Sequence, residues 1–132
     1  MYSRGFHLIE MVIVVIILGV LVGIAMPSYL RSQERTYTRE AVVGLRLLRA
    51  AQMVYQSEFG NFYPGAGGEG NVADINTNLR LNLSENNWDY NITASAANSF
   101  TAVAGRQAGA FDACVYTVSD AIADPTPNAS CP

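Results

Sequence analysis

Glu10 is the residue whose setting asks for chemistry: it stands just inside the apolar stretch "FHLIEMVIVVIILGVLVGIAM", four positions after Phe6. A carboxylate there either rests at a headgroup boundary or neutralises a cation that a partner buries beside it. The other reactive side chains are few. His7 is the sole histidine, so a histidine-based metal or catalytic cluster is excluded. Asp112, Asp120 and Asp124 carry oxygens that calcium could use, but their spacing matches no calcium-loop signature, and they read as surface acids. No nucleophile-base-acid set, glycine-rich phosphate loop or Cys-x-x-Cys is present, so the chain does not read as an enzyme and implies no cofactor and no metal.

The elements that must position Glu10 follow from the apolar pattern. From Met11 to Met26 there is no charged side chain, and with "FHLI" the run reaches about 20 residues, enough at 1.5 Å rise to cross about 30 Å of hydrocarbon. Beyond Pro27, Leu30, Tyr37, Ala41, Leu45, Leu48, Tyr55 and Phe59 recur at helical spacing, with Arg31, Arg35, Arg39, Arg46 and Arg49 largely off that line. The pattern predicts one helix from about Phe6 to Phe59, stopped by Gly60, Asn61 and Pro64. At helical rise that is on the order of 80 Å, so lipid or further copies of the chain must cover its first half.

"GNFYPGAGGEGNVADINTN" reads as a surface loop because of its glycines. "WDYNITA" alternates Trp88, Tyr90, Ile92 and Ala94 against Asp89, Asn91 and Thr93, the pattern of a half-buried strand. "SFTAVAG" and "ACVYTVS" supply two more strands, which gives a three-stranded antiparallel meander covered by the amphipathic half of the helix. The tail "DPTPNASCP" reads as irregular. Cys114 and Cys131 both fall in the part that lies outside the membrane if "MYSR" stays inside, and an oxidising compartment then allows a single pairing. A loop that short contributes about 3 kcal/mol in the chain-entropy model.

Composition narrows the class further. The chain has 132 residues, 50% of them hydrophobic, and a formal net charge of -3. It contains no lysine and no basic stripe, which argues against nucleic-acid binding through a broad electrostatic footprint. Composition leaves another secreted-protein reading open: Arg4 as n-region, "MVIVVIILGVLVG" as apolar core, and "GIA" before Met26 as a signal-peptidase site. Pro27 and the helical pattern that continues through it stand against that cut. Tyr29, Tyr37, Tyr55, Phe59, Phe62 and Tyr63 occur at helical spacing and near the helix end, as core and subunit contacts do, rather than as an electron-carrying array.

"RGFHLIEMVIVVIILGVLVGIAMPSY" resembles the N-terminus of type IV pilins and of the related pseudopilins of type II secretion. The marks are a short basic leader, a glycine, an aromatic residue, a glutamate four residues later and a long apolar helix. His7 departs from the small or hydroxylated residue usual there, and the leader is only five residues long. The resemblance implies an α+β fold, with a long N-terminal helix on a small antiparallel sheet and a C-terminal disulfide loop. It implies a leader over 1–5, a transmembrane and filament-core helix over 6–27, and a periplasmic or extracellular domain over 28–132. A prepilin peptidase would cut between Gly5 and Phe6, and Phe6 would be N-methylated. Glu10 would pair with the Phe6 ammonium of a neighbouring subunit, and Gly19, Gly23 and Pro27 would bound a segment that unwinds on assembly. The implied partners are further copies in a helical filament, the peptidase, the pilus assembly machinery and, before assembly, the bacterial inner membrane. Motility, adhesion, DNA uptake and secretion would all use this N-terminus. The alternatives are a type II secretion pseudopilin, a secreted binding domain with a cleaved signal, and a monomeric single-span anchor.

Overall fold

The computed structural model describes residues 7–132 apart from 66, 97 and 110. The chain divides into two units, one ending at Thr36 and one spanning Tyr37–Pro132. Helix α1 runs over Leu8–Phe59, 52 residues, with Pro27 inside it. It ends where predicted: Gly60 takes φ +78°, a left-handed conformation that favours glycine. The Gly60 N–H then donates to the Gln56 carbonyl at 2.8 Å, satisfying one carbonyl of the last turn.

In the Tyr37–Pro132 unit, α1 presents Ala41, Leu45, Leu48 and Gln52 to the core, a stripe spaced four, three and four. Of the predicted apolar line, Tyr37 and Tyr55 are half-buried, whereas Phe59 is exposed. The stripe covers an antiparallel sheet of four strands in sequential order: β1 (Trp88–Ala96), β2 (Ser99–Arg106), β3 (Val115–Ser119) and β4 (Thr126–Pro127). Alternation does the sorting. Trp88, Tyr90 and Ile92 of β1, Phe100, Ala102 and Ala104 of β2, and Tyr116 and Val118 of β3 all face the core.

Two elements differ from the sequence reading. The far end of the glycine-rich stretch forms a short helix, α2 (Val72–Asn78), rather than loop. Asn71 caps it by accepting the Asp74 N–H at 3.0 Å, and Val72, Ile75 and Leu79 are buried. Seven residues make a marginal helix in isolation, so packing holds it. The second difference is β4, in a tail expected to be irregular. Pro127 pairs with Tyr116 there, which a proline tolerates because β4 is an edge strand with no neighbour beyond it. Cys114 and Cys131 are disulfide-bonded, which ties the tail back to the start of β3.

Polar groups lock helix to sheet. Gln52 is fully buried and meets the Tyr63 backbone twice: its Nε2 donates to the carbonyl at 2.7 Å and its Oε1 accepts the N–H at 2.9 Å. Trp88 Nε1 donates to the Tyr37 carbonyl at 2.8 Å, and the Tyr90 hydroxyl donates to the Glu40 carbonyl at 3.3 Å. Arg49 holds the turn after β3 by donating to the Ser119 and Asp120 carbonyls, each at 3.1 Å.

Burial, with the nearby Glu40 charge as a smaller cause, pushes the Tyr90 phenol up to about 12 from its ordinary 10.0. The unfolded chain would therefore lose this proton at lower pH than the folded one. Tyr90 contributes stability that is fully present below pH 10 and is lost as pH rises through 12. Urea midpoints measured from pH 9 to 12 should fall across that upper window, by on the order of 2 kcal/mol. The Tyr90→Phe variant should show less of that loss.

Candidate assembly surface

The N-terminal unit is built by one rule: its side chains have nothing of their own chain to pack on. Every large apolar residue from Leu8 to Met26 is exposed, from Val12 at 45% to Leu8 at 80%. Helix α1 is long and apolar enough over this stretch to cross a membrane. A contiguous apolar surface of this extent marks a site that lipid or protein covers.

Glu10 interrupts that surface at the third helical position, and the structure adds a local role that the spacing alone did not reveal. Its Oε2 accepts the His7 backbone N–H at 3.2 Å, while its own N–H donates to the His7 carbonyl at 2.9 Å. This is the acidic half of a capping box, and a negative charge in a first turn also complements the helix dipole. A Glu three residues after the residue that starts a helix is the signal that could have found it. Gly5 and Phe6, the residues of the expected cut and methylation, lie outside the described residues.

Gly19, Gly23 and Pro27 all lie within continuous helix. A Cβ added at Gly19 or Gly23 would meet nothing within 4 Å, so packing within this chain does not require glycine at either place. Pro27 has no N–H to offer the carbonyl four residues earlier, which belongs to Gly23. The helix is therefore short of one hydrogen bond where it also carries its most flexible residue.

The remaining candidates resolve into structural roles. Asp124 pairs with Arg46 at 2.9 Å, both exposed. Asp120 accepts the Phe100 N–H at 3.2 Å, and Asp112 is exposed. Among the described residues no group of acids, cysteines and histidine is arranged to hold a metal ion. Tyr55 packs with Phe59 at 4.4 Å and Tyr63 at 5.8 Å between ring centroids, and Phe62 packs with Phe100 at 4.9 Å. The first two contacts join the end of α1 to the chain just past Gly60, and the third joins that chain to β2.

Two curated proteins resemble the chain along most of its length. It is 32% identical over 125 residues to the type IV major pilin protein PilA of Myxococcus xanthus, covering 95% of this chain and 56% of that protein. It is 28% identical over 136 residues to the type IV wide pilus major component PilA4 of Thermus thermophilus, covering 98% of each. The chain thus spans about half the length of the Myxococcus relative and nearly all of the Thermus one. No family model matches the chain. The unburied apolar helix with its single acid, the helix-on-sheet unit closed by a disulfide, and both relatives agree: the chain belongs to the type IV pilin family.

Proposed function

We propose that the chain is the structural subunit of a type IV pilus filament, held in the inner membrane as a precursor and polymerised through α1. The observation that carries this is the apolar surface from Leu8 to Met26, which its own chain leaves uncovered. Lipid covers it first and other copies later. A prepilin peptidase removes "MYSRG", and the amine of Phe6 is methylated and stays cationic. Glu10 then pairs with the Phe6 ammonium of a neighbouring copy, each satisfying a charge that is expensive to hold in an apolar filament core. Such a pair is better attested as a register device than as a source of stability.

Energetics separate the two coverings. Moving α1 from water into a bundle would gain about 25 cal/mol per Å² of apolar surface, but moving it from lipid gains nearly nothing. Extraction must therefore be driven by assembly machinery that consumes nucleotide energy elsewhere. A role as a secretion pseudopilin would use the same N-terminus; both relatives are named as major pilus components, which favours the pilus. Recovery of the protein in filaments sheared from the cell surface tests the reading. Its absence from such filaments, with the protein abundant in the membrane, contradicts it.

The missing hydrogen bond at Gly23 and Pro27 supports a second part of the reading, that Gly19 to Pro27 unwinds on assembly and lets the filament stretch. Amide exchange in the assembled fibre should be faster over these residues than over Leu8–Leu18 and Arg31–Leu48. Protection equal to the flanking helix would contradict it.

A further inference from the structure

Helix α1 carries a second apolar face within the Tyr37–Pro132 unit. Val43, Leu47 and Val54 are 54%, 51% and 57% exposed, and Ala50 between them is exposed as well. At about 100° per residue these four positions fall within a wedge of roughly 60°, on the far side of the helix from Ala41, Leu45, Leu48 and Gln52. A helix with one face on a core ordinarily turns polar residues outward. Here the outward face is a seam spaced four, three and four, the spacing by which one helix packs along another.

The residues beside the seam identify what covers it. By the same geometry Arg39 and Arg46 border one side, and Glu40 and Glu58 border the other. Opposite charges on the two flanks make the face complementary to itself, as the charges flanking a coiled-coil seam are. At its C-terminal end the seam opens, at Val54, into a groove of about 510 Å³ that Phe59 and Arg80 also line, with room for a partner's side chain. The seam also lies on the same helix as the Leu8–Met26 surface already assigned to other copies.

We propose that the seam of Val43, Leu47, Ala50 and Val54 is a subunit interface that takes α1 of a second copy, so that contact between copies extends beyond the membrane-length stretch into the globular unit. This rests on the pilus-subunit reading. The test uses the full chain in cells that assemble it. A photoreactive phenylalanine analogue at position 47 should give covalent dimers in sheared filaments, with the second attachment point on α1 of another copy. Leu47→Glu should lower filament protein at least tenfold while membrane-held subunit and its Cys114–Cys131 bond stay at unsubstituted levels. Leu47→Met should assemble normally.

Filaments that form with no intermolecular crosslink at position 47, or Leu47→Glu subunits that assemble at the unsubstituted level, overturn the seam and leave the pilus reading intact. If the unsubstituted chain forms no filaments, the pilus reading fails and the seam proposal fails with it. Should Leu47→Glu lower the membrane-held subunit too, the crosslink result decides.

Discussion

Glu10→Val is expected to abolish recoverable filaments while leaving the precursor in the membrane at its normal level. The two halves of that result have separate causes. Insertion depends on the apolar run, which valine lengthens. Assembly depends on the Phe6 ammonium of each incoming copy finding a carboxylate, and breaking a buried pair from one side costs about 3–5 kcal/mol. At 1.4 kcal/mol for each tenfold, that is at least about a hundredfold in the association constant of every added subunit.

The local role of Glu10 offers a competing explanation, since its carboxylate also accepts the His7 N–H. Glu10→Gln separates the two, because a glutamine oxygen can complete a capping box but carries no charge. We expect Glu10→Gln to fail in assembly as Glu10→Val does. Normal filaments from Glu10→Gln would reduce Glu10 to a helix cap.

The second large effect concerns the globular unit. Gly44 is buried on α1, and a Cβ built there would lie 2.7 Å from both Cε1 and Cζ of Tyr90, closer than real contacts allow. The ring has nowhere to go: Tyr90 is 1% exposed and its hydroxyl is held at the Glu40 carbonyl. Gly44→Val should therefore destabilise by about 3 kcal/mol, the upper range for overpacking a filled core. For a unit of this size that lowers the thermal midpoint on the order of 15 °C, read by circular dichroism on detergent-solubilised protein. Gly105→Val is the control. Nothing lies within 4 Å of that position, which is in β2, so a β-branched residue there should be neutral or slightly stabilising.

Gly44 also shows what the sequence could not disclose. Its need for glycine comes from a tyrosine far along the chain, and the buried Gln52 likewise gains its meaning only when Tyr63 arrives to be clamped. Long-range partners of this kind leave no local pattern. What was legible was periodic. The alternation from Trp88 to Ile92 marked β1, and Gly60 marked the end of α1. Two cysteines left a single pairing. The short elements escaped, because glycines on one side hid α2 and prolines around β4 spoke for disorder, while a cap at Asn71 and an open sheet edge decided otherwise. At the assembly surface the long apolar run and its acid were plain from composition. The seam on the outer side of α1 was not, since helical spacing alone does not say which of two apolar faces the sheet will take.

Assembly through Glu10 requires a cut between Gly5 and Phe6, because only that cut creates the cation for which the carboxylate waits. Intact mass and N-terminal sequencing of the subunit in sheared filaments reach this requirement without an intermediate step. The chain should begin at Phe6 and carry one added methyl group on its amine. A mature chain beginning at Met26 would instead show a cleaved secretory signal, and one retaining Met1 a plain membrane anchor; with either start, charge pairing between Phe6 and Glu10 is ruled out.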